Sequence, residues 1–260
     1  MRVRPRPLVS WALFVVYVAL VSAIWAVNGL DYDTVAESSD TIVKGIVIPI
    51  GVGAVFLALV TTWLGWWRPA MVEDNKAGPR WALLIPVLLL VTALLGVTSI
   101  DFGAANTSTL LLLALGTAFI GFSEEILTRG LMIVGFRGSL SEGWVWFLSS
   151  LSFGLLHGIN AFFGQSAVAT ARQIVFAFVL GTAFYVTRRV TGLLAVTMVI
   201  HALWDFGALG TENTGGDTLA IGGVLLYPTA ILAFIVLVKI LRSSAADSNQ
   251  QAAPQPAQPA

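Results

Sequence analysis

Spanning the hydrocarbon of a bilayer takes about 20 apolar residues in a row, and this chain supplies such runs again and again. They lie near 8–30, 45–67, 81–99, 109–134, 144–163, 171–188, 190–209 and 218–241. Lipid offers backbone N–H and C=O groups no partners, so each run must close its own hydrogen bonds as a helix. The expected fold is therefore all-α: a polytopic membrane bundle of about eight transmembrane helices. The links between runs are too short for an independent soluble domain, which makes residues 1–242 one transmembrane helical domain. Charged residues make up only 11% of the chain, against roughly 25% in ordinary soluble proteins. The mean hydropathy of +0.86 agrees. The first run is long enough to span and lacks an A-x-A exit, so it reads as a retained helix and not as a cleaved secretory signal.

The Lys and Arg positions predict the orientation. Arg2, Arg4 and Arg6 precede the first run, Arg68, Lys76 and Arg80 fill the second link, and Arg129 and Arg137 follow the fourth run. Arg188 and Arg189 separate the sixth and seventh, and Lys239 and Arg242 end the eighth. With eight alternating crossings all of these fall on one side. The other side carries Asp31, Asp33, Glu37, Asp40, Asp101, Glu212 and Asp217, with Lys44 and Arg172 as its cations. The expectation is a multi-pass cell-membrane protein with cytoplasmic N- and C-termini. From Ser243 the sequence turns to Ser, Asn, Gln, Ala and Pro, and 243–260 reads as a disordered cytoplasmic tail, too poor in apolar surface to offset the entropy of ordering. Zero net charge gives no sign of a nucleic-acid partner. The absence of cysteine excludes disulfides, thiolate metal sites and a cysteine nucleophile.

Ionisable groups at membrane depth are costly and mark functional sites by default. Both histidines, His157 and His201, sit inside apolar runs, with Glu124, Glu125, Arg129 and Asp205 near them in sequence. Glu125 and Arg129 are four apart and share a helix face, whereas Glu124 is rotated by about 100° and is free to point elsewhere. One carboxylate is thereby neutralised and the other is available for proton transfer; the plainer reading of the pair is an ion pair reaching for the helix end. Phe153 and His157 share a face of the fifth run, and Gly154 with Gly158 forms a small-xxx-small pair suited to close helix packing. His201 and Asp205, also four apart, could orient a water, bind a metal or simply hydrogen-bond each other. Counting from the expected cytoplasmic ends, Glu124, His157 and His201 lie roughly 15–20 Å deep at 1.5 Å per residue. A shared pocket requires that common level.

A carboxylate with two imidazoles can activate water against a carbonyl, the Glu taking a proton and a His stabilising the oxyanion. The same groups are ligands for a divalent metal such as Zn²⁺, which acidifies its bound water. With two His in the chain, a zinc site drawn from Glu124, His157, His201 and Asp205 would need carboxylate ligands, and the residues leave metal dependence open.

Three motifs in this order, each on an apolar helix, resemble the CPBP intramembrane proteases, which include type II CAAX prenyl endopeptidases and bacterial bacteriocin-processing or immunity homologues. The family pattern Glu-Glu-x-x-x-Arg, Phe-x-x-x-His and His-x-x-x-Asn/Asp is met by Glu124-Glu125…Arg129, Phe153…His157 and His201…Asp205. The resemblance covers about 110–210. It implies that Glu124 activates the attacking water, that His157 and His201 assist, that Asp205 completes the cluster, and that Glu125, Arg129 and Phe153 support it. It implies either a metalloprotease or a metal-free glutamate mechanism, and Asp205 in place of Asn adds an anionic ligand that leans towards metal. The function expected is an intramembrane endopeptidase cutting a peptide or membrane-protein substrate near the cytoplasmic leaflet. The alternatives are a non-proteolytic scaffold or immunity protein of the same family, which should tolerate loss of His201, and a proton-coupled transporter, which should spread its charges along a path.

Overall fold

The computed structural model describes residues 1–216 and 220–252. Each apolar run has closed into a helix: α1 Pro7–Asn28, α2 Ser39–Leu64, α3 Arg80–Thr98, α4 Thr107–Phe136, α5 Glu142–Phe163, α6 Ala167–Thr191 and α7 Leu194–Thr214, followed by α8 Ala220–Ala252. All are long and apolar enough to cross a membrane. Local sequence sets several of the ends. Pro7 opens α1, where its missing N–H would have no helical partner. Ser38 and Thr41 cap α2 reciprocally, while the Asn106 side chain accepts from the Ser108 N–H at the start of α4. The last helix continues beyond Ser243, where the tail was expected to begin, and residues 253–260 lie outside the described residues.

Helix α7 is the central post, packed against both α3 and α4; α5 lies along α6, α1 along α2, and α8 against α3 and α6. In a membrane, helices associate through close packing, because lipid is as apolar as their side chains. Gly121 shows what this demands. A Cβ there would stand 2.5 Å from the Met198 carbonyl oxygen and 2.9 Å from the Ala202 nitrogen, so α4 touches the backbone of α7 one residue from His201. On α5, a Cβ on Gly154 would come 2.7 Å from the Ile174 carbonyl of α6. Gly158, its expected packing partner, would meet only Ile174 at an ordinary 3.7 Å. The small-xxx-small reading therefore holds for Gly154 and not for Gly158, because α5 turns into a 3₁₀ segment at His157 and the regular four-residue spacing ends there.

The helix ends nearest the chain termini are tied together by polar contacts. The link after α2 is stitched to the α6–α7 turn, with Glu73 N–H donating to Gly192 O at 2.9 Å and Ala77 N–H to Arg189 O at 3.0 Å. Arg137 reaches Glu73 at 2.7 Å and Glu142 at 2.6 Å, Arg189 and the Tyr185 hydroxyl also bond Glu142, and Arg188 Nε is 3.6 Å from Glu73. Burial alone would lower the Arg137 pKa, but its hydrogen bond to Glu142 and the facing negative charges outweigh that and raise it. Glu73, Arg188 and Arg189 are all buried. Arg188 and Arg189, which the sequence suggested as link charges, instead lie buried in the last turn of α6. A carboxylate from the second link and another from the start of α5 meet these arginines, and no helical spacing announces a partnership across such separations.

Gly121→Val is expected to lower thermal stability in detergent by at least about 1–3 kcal/mol, the usual cost of overpacking, because the clashing atoms are backbone. Gly143→Ala, whose Cβ would meet nothing within 4 Å, should melt as the wild type does.

Candidate active site

Glu124 and Glu125 close the α-helical part of α4, and the next turn, Ile126–Met132, is wound as a π-type turn. Such turns recur at functional sites and shift side chains relative to a regular helix. Both carboxylates are buried, Glu125 completely. Glu125 Oε1 stands 3.3 Å from Arg129 Nη2 and 3.1 Å from His201 Nδ1. One carboxylate thus bridges the guanidinium of its own helix and the imidazole of α7. Glu124, turned away from Glu125 around the helix, has an Oε2 with no hydrogen-bond partner among the described residues, 4.0 Å from His201 Nε2. On the same imidazole edge, Asp205 Oδ2 stands 3.4 Å from His201 Nε2.

Phe153 occupies the centre of the aromatic packing. The Arg129 guanidinium carbon lies 3.8 Å from its ring centroid, and the His157 and His201 rings meet it edge-on at 5.3 and 5.4 Å. The negative ring face takes the cation, and its edges fix two imidazoles. His157 Nδ1 is 2.9 Å from the Phe153 carbonyl oxygen at the end of the α-helical part of α5. That contact makes Nδ1 the donor and leaves Nε2 as an acceptor. The sequence-predicted set is thus brought together: Glu125, Arg129 and Phe153 form the packed interior, and Glu124, His157, His201 and Asp205 stand around it.

Glu124 and His201 meet at one level, as expected, although their residue counts from the helix ends differ. Glu124 is twelve residues from the end of α4 and His201 seven from the start of α7, about 18 and 10 Å at the α-helical rise. The contact between α4 and α7 at Gly121, not a common residue count, brings the two side chains together.

Glu124 and His157 lie on the wall of an apolar cavity of about 90 Å³. Its remaining walls include Val21, Ile46, Ile50 and Leu156, and its polar lining includes Tyr17, Tyr32 and Asn160. Tyr32 and Val35 belong to the link after α1 and Asn160 to the end of α5, so the cavity occupies the half of the bundle away from the chain termini. Tyr32 accepts from Gln173 Nε2 at 3.3 Å, and Asn160 Nδ2 donates to Gln173 Oε1 at 3.0 Å, joining the link to α6. Burial pushes the Tyr32 hydroxyl up to about 12, so it stays protonated at neutral pH.

The donors were tested as a metal site. Among the described residues no three His, Asp or Glu side chains are grouped so that they could hold an ion. His201 turns Nδ1 to Glu125, and His157 turns Nδ1 to a backbone carbonyl. The expected ligand set Glu124, His157, His201 and Asp205 does not form a coordination shell as placed.

Residues 106–207 match the family described as Type II CAAX prenyl endopeptidase Rce1-like. The matched segment holds all seven motif residues and leaves α1–α3 and α8 outside. No curated protein matches the chain. Two contributions lie beyond what motif reading found: Tyr17, from α1, which reaches the cavity, and the Asn160–Gln173–Tyr32 chain. Tyr17 had a signal in its spacing, since Leu13, Tyr17, Val21 and Trp25 recur every four residues and form the buried stripe of α1.

Phe153→Leu keeps apolar bulk and removes the ring face. It should cost about 2 kcal/mol, the worth of a desolvated cation–π contact, read as a lower melting temperature.

Proposed function

We propose, for a chain whose residues 106–207 form an Rce1-like domain of the CPBP intramembrane protease family, that Glu124 acts as general base in the hydrolysis of a peptide bond inside the membrane. The observation that carries this reading is the contrast between the two neighbouring glutamates. Glu125 is engaged by Arg129 and His201 at 3.3 and 3.1 Å, while Glu124, 4.0 Å from His201, accepts no hydrogen bond at Oε2 among the described residues and lies on the wall of an apolar cavity that His157 also lines. A carboxylate with a free oxygen at a cavity wall is placed to take a proton from a water held there.

In this mechanism Glu124 takes a proton from water, and the water oxygen bonds to the scissile carbonyl carbon. The carbonyl electrons move onto oxygen, where an N–H or O–H donor on the cavity wall stabilises them. Glu124 then passes its proton to the leaving nitrogen as the C–N bond breaks, giving a carboxylic acid and an amine, between which the acid proton then passes to leave a carboxylate and an ammonium. His157 Nε2 is suited to accept a hydrogen bond from the water and orient it. His201, held by Glu125 and Asp205, sets the electrostatics on the far side of Glu124. No step needs a metal, in keeping with donors that do not converge. The cavity's position in the half of the bundle away from the termini favours cleavage at that level, where the sequence suggested the leaflet nearest the termini. The substrate class is a membrane-embedded peptide that presents an apolar side chain to the cavity.

Purified protein in liposomes, incubated with a library of apolar peptides and read by mass spectrometry, should yield new termini. Glu124→Ala should lower turnover by about 10²–10⁴-fold, the usual range for a general base, with an unchanged melting temperature. Dialysis against 1,10-phenanthroline should leave turnover unaltered. Cleavage that survives Glu124→Ala overturns the mechanism, and cleavage abolished by the chelator and restored by zinc overturns its metal-free form.

A further inference from the structure

Tyr17 lies midway along α1, outside the segment matched to the family. It is only 2% exposed, and its hydroxyl has no hydrogen-bond partner among the described residues. A buried hydroxyl without a partner is destabilising, so a chain that retains one has a use for it or a ligand that satisfies it. Tyr17 lines the same cavity as Glu124 and His157.

The other polar side chains on that wall are already engaged. Trp25 Nε1 donates to Gly45 O at 2.8 Å, Asn160 donates to Gln173, and Tyr32 accepts from Gln173. His157 holds the Phe153 carbonyl through Nδ1 and faces the cavity as an acceptor, and Glu124 is itself the base. Ser123, whose hydroxyl adjoins that of Tyr17, is fully buried and does not line the cavity. Tyr17 and Tyr32 are thus the O–H groups on this wall whose protons no acceptor takes among the described residues; the Tyr32 oxygen is held by Gln173 in the chain that joins the link to α6, whereas Tyr17 has no such tie. Its ring is fixed by close packing, since a Cβ on Gly53 of α2 would stand 2.6 Å from Tyr17 Cε2.

We propose that Tyr17 is a further catalytic residue, whose hydroxyl donates a hydrogen bond to the scissile carbonyl oxygen as it becomes an oxyanion. The inference rests on the hydrolytic reading above and deepens it. Glu124 removes the water proton, the new C–O bond sends the carbonyl electrons onto oxygen, and the Tyr17 O–H meets that charge; no proton leaves Tyr17. When the intermediate collapses the electrons return to carbon and the hydrogen bond relaxes. A donor aimed at developing charge lowers the barrier without improving substrate binding.

The test compares wild type, Tyr17→Phe and Glu124→Ala on the peptide that wild type cleaves best in the liposome library, with melting temperatures recorded alongside. Tyr17→Phe should reduce kcat by about 10²–10³-fold, as loss of an oxyanion donor does, with KM unchanged and a melting temperature at or above that of the wild type, since the unpartnered hydroxyl is gone. A residue that merely packs against α2 would not give this split. If wild type cleaves and Tyr17→Phe matches it in kcat, or loses rate only through KM or stability, the catalytic role of Tyr17 is wrong while the glutamate mechanism stands. If Glu124→Ala also cleaves, or wild type cleaves nothing, the hydrolytic reading falls and this inference with it.

Discussion

A carboxylate sealed inside a membrane bundle must be met by positive charge or hydrogen-bond donors, because lipid supplies neither. Glu125, with no exposed surface, is met by the Arg129 guanidinium one turn along its own helix and by the His201 imidazole from α7. The two contacts do different things. The first neutralises a charge that would otherwise exclude the segment from the interior. The second fixes the imidazole ring and turns Nε2 towards Glu124 and Asp205. Phe153 completes the arrangement by seating Arg129 on its face. The division between a locked glutamate and an available one follows from this network.

Helix packing is the means by which the network is assembled. Gly121 lets α4 lie against the backbone of α7 beside His201, and Gly154 does the same for α5 and α6. Association in lipid depends on such close contacts because there is no hydrophobic gain between apolar helices. The π-type turn after Glu125 carries Arg129 and opens the helix where charged side chains must be accommodated. At the opposite side of the fold problem, the Glu73–Arg137–Glu142–Arg189 cluster binds three links and helix ends together near the termini. One ionic cluster thus organises the middle of the bundle and the other its end.

Much of this was legible in the sequence for physical reasons. Eight apolar runs can form only helices in lipid, and the helices occupy nearly the residues that hydropathy marks. Four-residue spacing forces Glu125 to Arg129 and His201 to Asp205, and both contacts are present. What spacing cannot show is contact between helices. The bond from His201 to Glu125, the Arg188 approach to Glu73 and the reach of Tyr17 into the cavity join residues separated by many turns of chain. Glu124 and His201 meet although their residue counts from the helix ends differ, since counting assumes regular, parallel helices that start at one level. Gly158 was misread for a related reason: a spacing rule for α-helices was applied where the helix had become 3₁₀.

The most direct test of the buried bridge is a double-mutant cycle on Glu125 and Arg129, read by thermal unfolding in detergent with Glu125→Gln, Arg129→Met and the two combined. If the pair is the interaction on which the interior depends, each single change leaves a buried charge without its partner, at a cost of about 3–5 kcal/mol. The combined variant should then lose less than the sum of the two by about 1–3 kcal/mol. Losses that simply add would mean that Glu125 and Arg129 do not act on each other, and the account of how His201 is held beside Glu124 would be contradicted.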